Sequence, residues 1–375
     1  MRCSVAFIVA PYGFGPSSKA VAISSYLPRS VDRVFVGQGP PLEMARQSDE
    51  FSACVPLNFH NGAGDASALL AGFDVLIFVN STRFISASLI SGRPAILVET
   101  LAWLRDEPPP GAPMLCAFFA QRFLDHPFCP ALEAMANFFA IGPIVPKGLS
   151  AAQRNVRTPG PVRSPILHCG GLFSPVMVHG AAETFVTHAL GAAGQFNGTM
   201  RALLPLHLHE AVPTSLERKI HLVESSSLSV HEQLVGSEFA LTTTGIEFTY
   251  ESMLLGVPTI FLPPFNASQH FQARHHARTC SDSVPFEFGG EAPSEFEALH
   301  DATTTLQHAG MDGRWPTQFA AVSNFLERFT PEERGPFLSR LQARQRSMIG
   351  CMGADGAQAV AARILREVGA ELALL

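Results

Sequence analysis

Residues 241–269 read Leu241-Thr-Thr-Thr-Gly245-Ile-Glu-Phe-Thr-Tyr-Glu251-Ser-Met-Leu-Leu-Gly256-Val-Pro258-Thr-Ile-Phe-Leu-Pro263-Pro-Phe-Asn-Ala-Ser-Gln269. A buried strand ending near Thr242 runs into a Thr-Thr-Gly turn, and a helix starts at about Gly245. It stops at Gly256, ahead of Pro258 and a second buried strand. Backbone N–H groups and the positive end of the helix dipole at Gly245–Glu247 would face the carboxyl end of the sheet, where a diphosphate is held. Glu251, six residues after Gly245, lies under two turns into the helix, within reach of two ribose hydroxyls on such a diphosphate. An ordinary strand–helix–strand unit with Glu251 on a solvated face fits the same spacing.

Outward from this segment, short β-branched or aromatic runs alternate with longer helix-like stretches. They lie at Val5–Ala10, Val34–Val36, Val75–Val79, Ala95–Val98, Ile166–Leu167, Ile220–Val223, Phe239–Thr242 and Thr259–Leu262. Buried parallel strands separated by helices produce this pattern, so the class is α/β. Between Gly142 and Pro165 the chain is rich in Pro, Gly and Arg and has no sustained periodicity, which marks a linker. The expected division is a first domain over residues 1–150, a linker over 151–164 and a second domain over 165–325. Residues 326–375 are expected as helices packing back on the first domain, with Pro331 to Pro336 dividing two amphipathic segments.

A chain of 375 residues has room for two such domains. Hydrophobic residues make up 47% and charged residues only 15%, against a usual charged share of roughly 25%, which describes a folded protein with an apolar skin. Such a skin suits a protein interface, including a homodimer. The net charge is −6 and the only lysines are Lys19, Lys147 and Lys219, so no basic stripe exists to bind nucleic acid. Seven cysteines without a C-x-x-C pair suggest neither a disulfide framework nor a zinc knuckle and fit a reducing cytoplasm. The run Val5–Ala10 is too short for a secretory core. Polar residues and prolines interrupt Met114–Val145 too often for a membrane span, so a cytoplasmic protein is expected.

The 241–269 segment resembles the nucleotide-sugar-binding signature of GT-B glycosyltransferases. It is most similar to the inverting group that includes plant and natural-product transferases and the peptidoglycan N-acetylglucosaminyltransferase. Gly245, Glu251, Gly256, Pro258, Pro263 and Gln269 match that signature in order and spacing, and the resemblance covers about residues 165–275. It implies a GT-B architecture, two doubly wound Rossmann-like domains facing a cleft, with the donor on the second. The implied activity moves a sugar, with inversion, from a UDP- or dTDP-type nucleotide to a small-molecule acceptor. The donor contacts it implies are Thr243, Thr244, Gly245, Ile246 and Glu247 around the helix start, Glu251 on the ribose and Gln269 on the sugar. Gly170 and Gly171, in the turn after Ile166–Leu167, and Val223, in the nucleobase region, complete the set.

Thr243 stands where plant-type members carry a His, so it would offer the diphosphate a hydroxyl without charge. Glu247 lies in the first turn, where a carboxylate suits the dipole but repels a diphosphate. Retaining GT-B families pair two Glu residues eight apart around this helix, whereas Glu247 and Glu251 are four apart, which favours inversion. No Asp-x-Asp motif occurs, and the His-rich piece Gln269–His276 has no Asp/Glu pair nearby. No metal is therefore expected, and no cofactor beyond a UDP-sugar co-substrate.

The loop Ala10-Pro-Tyr-Gly13-Phe14-Gly15-Pro16-Ser17-Ser18-Lys19 fits neither a dinucleotide fingerprint nor a P-loop. Inverting GT-B enzymes often carry a general-base His here, where this chain has Pro16. Ser18, Lys19, or a base from elsewhere such as Glu99 or Asp125 would then serve catalysis; Lys19 otherwise belongs to a solvated helix face. Gly13, Phe14, Gly15 and Ser17, with Asn80, Ser81, Arg83 and Trp103 beyond other strand ends, are the acceptor-pocket candidates. A heterocycle nitrogen as acceptor, as in cytosylglucuronate-type nucleoside-antibiotic biosynthesis, depends least on a strong base. A nucleotide-sugar hydrolase or 2-epimerase, and a catalytically silent GT-B partner subunit, are the alternative readings.

Overall fold

Val5 to Val9 is buried along its whole length, on both faces, as a strand must be when helices cover a parallel sheet from two sides. The computed structural model describes residues 3–58, 63–152, 164–170, 172–173, 177–224, 227–285, 299–353 and 355–374. They fall into two units: Met1–Ala151 with Met352–Leu375, and Ala152–Cys351.

The first unit holds β1 (Ser4–Val9), β2 (Asp32–Gly37), β3 (Ala53–Pro56), β4 (Val75–Val79), β5 (Ala95–Glu99), β6 (Ala117–Gln121) and β7 (Phe138–Ile141). Every pair is parallel and the order is β3-β2-β1-β4-β5-β6-β7, with Phe7 opposite Phe35 on one side and Ile77 on the other. The second unit holds β8 (Ile166–His168), β9 (Met200–Leu204), β10 (Ile220–Glu224), β11 (Ala240–Thr242) and β12 (Thr259–Phe261) in the parallel order β10-β9-β8-β11-β12. Both sheets are therefore doubly wound.

Four strands lie outside the β-branched and aromatic runs of the sequence, β3, β6, β7 and β9. β3 is a half-exposed edge strand, and β9 (MRALL) is built largely of good helix formers. It becomes a strand because Ala202, Leu203 and Leu204 are buried and Arg201 finds partners in Gln233 Oε1 (2.7 Å) and Ser237 Oγ (2.8 Å). β6 and β7 are Phe- and Ala-rich runs whose rings meet across the ladder, Phe118 against Phe138 and Phe119 against Phe139.

The tail divides differently from the expectation. Leu326, Phe329, Leu338 and Leu341 join the core of the second unit beside Phe185, Phe239 and Trp315, so residues up to Cys351 belong there. Only the helix Gly356–Leu374 joins the first unit, where Val360, Ala361, Ile364 and Val368 pack with Val5, Ala20 and Ile23. The break in the tail falls at Phe329–Thr330. Pro331 opens one long helix, Pro331–Gly350, and Pro336 lies inside it. Among the described residues, no helix is long and apolar enough to cross a membrane.

Candidate functional site

In the second sheet the chain order reverses between β8 and β11, so the segments leaving their carboxyl ends turn to opposite faces and open a crevice. Those segments begin at His168 and Thr242, which stand opposite each other in register. Gly170 is demanded by close approach, since a Cβ there would lie 2.7 Å from His168 Cε1. At Gly245 a Cβ would meet nothing within 4 Å, and no side chain caps the helix Ile246–Leu254 that begins there. Its first i→i−4 bond runs from Thr249 N to Gly245 O (3.0 Å), so the helix itself offers no acceptor to the N–H groups that precede Thr249. The helix closes at Gly256, whose φ of +67° is the left-handed conformation that favours glycine.

The polar side chains of the turn are tied to one another. Thr243 Oγ1 donates to the Gly170 carbonyl (2.8 Å), and Gln269 Nε2 donates to the same oxygen (3.0 Å). Thr244 Oγ1 donates to the Gln269 carbonyl (2.6 Å), and Gln269 Oε1 accepts from Phe265 N (2.8 Å). Asn266 caps the helix Ala267–Thr279 by accepting from Gln269 N (2.9 Å). The Thr243 hydroxyl, one N–H of the Gln269 amide and its oxygen are engaged within the protein. They form a frame that holds the Gly170 loop, the 243–245 turn and the Gln269 helix together. Glu251 is 7% exposed on the same helix, Ile246 is buried, and Glu247 in the first turn and Val223 on β10 are half-buried. Gly171 lies outside the described residues.

The sequence reading passed over His168. Its ring stacks on Phe248, with centroids 4.0 Å apart and planes 9° apart, and burial lowers its pKa to about 3. The Thr242 hydroxyl lies 3.0 Å from the Thr243 carbonyl and 3.1 Å from His168 Nδ1, which orients the ring. A neutral imidazole therefore stands at the end of β8. The available signal was its place as the last residue of a strand before Gly-Gly.

The first sheet reverses between β1 and β4, and several acceptor candidates follow those strands. Gly13, Phe14 and Gly15 lead into the helix Gly15–Ser24, Asn80 ends β4 with φ +52°, and Arg83 is exposed. Asn80 Nδ2 donates to Thr100 Oγ1 (2.9 Å), and its Oδ1 accepts from Thr100 N (2.8 Å). Arg83 is close enough to Tyr12 to oppose the upward shift that burial imposes on that phenol.

The catalytic candidates in this unit have structural tasks. Lys19, 2% exposed, is on no solvated face: its Nζ donates to the Ile144 carbonyl at 2.7 Å. Glu99 accepts from Arg105 Nε (2.8 Å) and Nη2 (2.7 Å) in a buried bidentate ion pair. Ser18 Oγ reaches Met44 Sδ (3.9 Å), and Ser17 is fully buried. Trp103 is buried, stacked on Phe123 with centroids 4.2 Å apart. Arg105, six residues after Glu99, was a legible partner that sequence reasoning missed. Among the described residues, no cluster of three or more His, Cys, Asp or Glu could hold a metal ion.

Two parallel, doubly wound sheets with their switch points are the architecture of the GT-B fold, and this chain has that fold: two Rossmann-like domains in a glycosyltransferase-like structure. Three solved structures illustrate the likeness. Phytolacca americana UGT2, complexed with UDP-2fluoro-glucose and pterostilbene, aligns over 92% of this chain and 99% of its own at 14% identity, with a TM-score of 0.53. The S. aureus MnaA–UDP co-structure aligns over 100% and 98% at 11% identity, with a TM-score of 0.56. Arabidopsis thaliana UGT89C1, complexed with UDP-L-rhamnose, aligns over 96% and 99% at 12% identity, also at 0.56. No family model matches the chain, and no curated protein sequence matches it.

Proposed function

We propose that this protein is an inverting glycosyltransferase that uses a UDP- or dTDP-type sugar donor. The observation that carries the reading is the uncapped helix start at Gly245, set in the β8–β11 crevice, with Glu251 on the same helix. As the bond between the anomeric carbon and the diphosphate oxygen breaks, charge grows on the leaving diphosphate, and N–H groups already aimed there stabilise it. The Thr243–Gln269–Gly170 frame keeps those groups in place, which avoids reorganisation at the moment of transfer. Glu251 accepts from the ribose hydroxyls. Gly13 to Gly15 and Arg83 take the acceptor, whose nucleophile is a heterocycle nitrogen or another group acidic enough to need no strong base from the first loop.

Calorimetric titration with UDP, dTDP and GDP tests the donor site. Glu251→Ala should weaken binding of the preferred nucleotide by about 1–3 kcal/mol while the protein stays folded. Unchanged affinity overturns the reading. One observation favours a second reading, a nucleotide-sugar hydrolase or 2-epimerase: Lys19 and Glu99 are committed to Ile144 and Arg105 and so do not act as acceptor bases. Product analysis of a donor incubated without any acceptor separates the two, because only the second reading consumes it.

A further inference from the structure

The buried layer beneath the helix Ile246–Leu254 is apolar until its last row. Ile166 on β8, Ala240 on β11 and Phe248 in the first turn of the helix belong to one cluster, and alternation along β8 puts His168 on the same face as Ile166, one row nearer the carboxyl end. Three neighbours fix the ring there. One face stacks on Phe248, with centroids 4.0 Å apart, and Nδ1 lies 3.1 Å from Thr242 Oγ1 on the adjoining strand. On the loop side, a Cβ at Gly170 would come within 2.7 Å of Cε1 and 3.5 Å of Nε2, so the backbone of that turn runs beside the distal edge of the imidazole. Among the described residues the ring forms no second hydrogen bond, and the residue is half-buried.

An apolar side chain would fill this place at less cost if packing were its only task, because the imidazole gives up hydration to stand over an apolar row. Thr242 satisfies Nδ1 in either tautomer: its hydroxyl accepts from an Nδ1–H, or turns from the Thr243 carbonyl (3.0 Å) to donate to a bare Nδ1. The second arrangement leaves the proton on Nε2, beside the Gly170 turn. The Thr243 hydroxyl does not compete for a ligand oxygen, since it is given to the Gly170 carbonyl at 2.8 Å. The end of β8 therefore offers a neutral N–H where β11 offers no hydroxyl, and burial, which holds the imidazole at a pKa of about 3, keeps it uncharged.

We propose that His168 is a donor-site residue whose Nε2–H bonds an oxygen of the nucleotide's diphosphate, with the Thr242 hydroxyl fixing the tautomer that makes this contact. The inference rests on the donor reading above and adds to it a side chain that touches the leaving group. As the bond between the anomeric carbon and the diphosphate oxygen breaks, its electron pair stays with the diphosphate and the sugar passes to the nucleophile. No proton leaves Nε2. The hydrogen bond strengthens as that charge grows, so His168 acts on kcat as well as on binding.

His168→Phe supplies the test, because it keeps a ring to stack on Phe248 and removes both nitrogens. Binding of UDP and dTDP, and of their nucleosides uridine and thymidine, is measured on the full chain, with urea unfolding to show that the variant is folded. The preferred nucleoside diphosphate should bind at least about tenfold more weakly to His168→Phe, while its nucleoside stays within about twofold. A ring that only packs would weaken both alike or neither. A second measurement needs no change at position 168: nitrogen NMR of the unmodified protein labelled at histidine, with the His168 ring assigned by its perturbation in Thr242→Val. The saturated diphosphate complex should hold that ring as the Nε2–H tautomer. Equal losses for nucleoside and diphosphate, unchanged affinity for both, or an Nδ1–H ring in the complex overturns the proposal and leaves the donor reading standing, since the unmodified protein still binds the diphosphate. Failure of the unmodified protein to bind either diphosphate overturns the donor reading and this inference with it.

Discussion

Glu99 separates a structural carboxylate from a catalytic one, and the two roles predict opposite outcomes for one substitution. The carboxylate is 3% exposed and its partner Arg105 is 7% exposed, so solvent screens the pair weakly. Two charge-assisted bonds join them, at 2.8 and 2.7 Å. At about 1.5–3 kcal/mol per bond to a charged group, their loss sums to roughly 3–6 kcal/mol, in line with the about 3–5 kcal/mol found when one partner of a buried pair is removed. Glu99→Gln should therefore lower stability by about that amount, a large share of the roughly 5–15 kcal/mol that holds a typical domain folded. Urea unfolding followed by tryptophan fluorescence measures it, with Trp103 stacked nearby in the same unit. The double change Glu99→Leu with Arg105→Met removes both charges and should recover part of the loss, since neither charge is then left buried alone. Turnover of the folded Glu99→Gln protein should fall by less than the roughly 10²–10⁴-fold expected when a general base is removed. Unfolding identical to the unmodified protein, combined with a collapse of kcat on that scale, would refute the structural role and restore Glu99 as the base.

Lys19→Met removes the ammonium bond to the Ile144 carbonyl and should cost about 1.5–3 kcal/mol in urea unfolding while KM for either substrate stays within about twofold. Gln345 acts as a surrogate strand on the sheet edge, accepting from Thr259 N (2.9 Å) and donating to Thr259 O (2.7 Å). Gln345→Leu strands both groups and should destabilise the second unit by roughly 1–3 kcal/mol for each, with hydrogen exchange at Thr259 accelerated. His168 and His276 are both held near a pKa of about 3 by burial, below the ordinary 6.5. Their neutral forms stabilise the fold fully above about pH 6.5, and that contribution is lost as pH falls toward 3. At pH 5 each should cost about 2 kcal/mol, visible as a lower urea midpoint that His168→Gln makes less sensitive to pH.

The sequence by itself determined the α/β class, the GT-B resemblance and the strand–turn–helix at Thr242–Gly245. These depend on local pattern: β-branched runs, a glycine at a helix start and a glycine at its end write their conformations into neighbouring residues. It did not determine β9, whose Met-Arg-Ala-Leu-Leu reads as helix until burial on both faces and the partners of Arg201 make it a strand. Nor did it determine which polar residues remain available. Thr243 and Gln269 meet on the Gly170 carbonyl across 73 and 99 residues of chain, and Lys19 meets Ile144 across 125. A hydroxyl, an amide or an ammonium looks equally free in any sequence. Only the tertiary structure decides whether a distant carbonyl has already claimed it, because hydrogen bonds form between neighbours in space and a buried donor is too costly to leave unpaired.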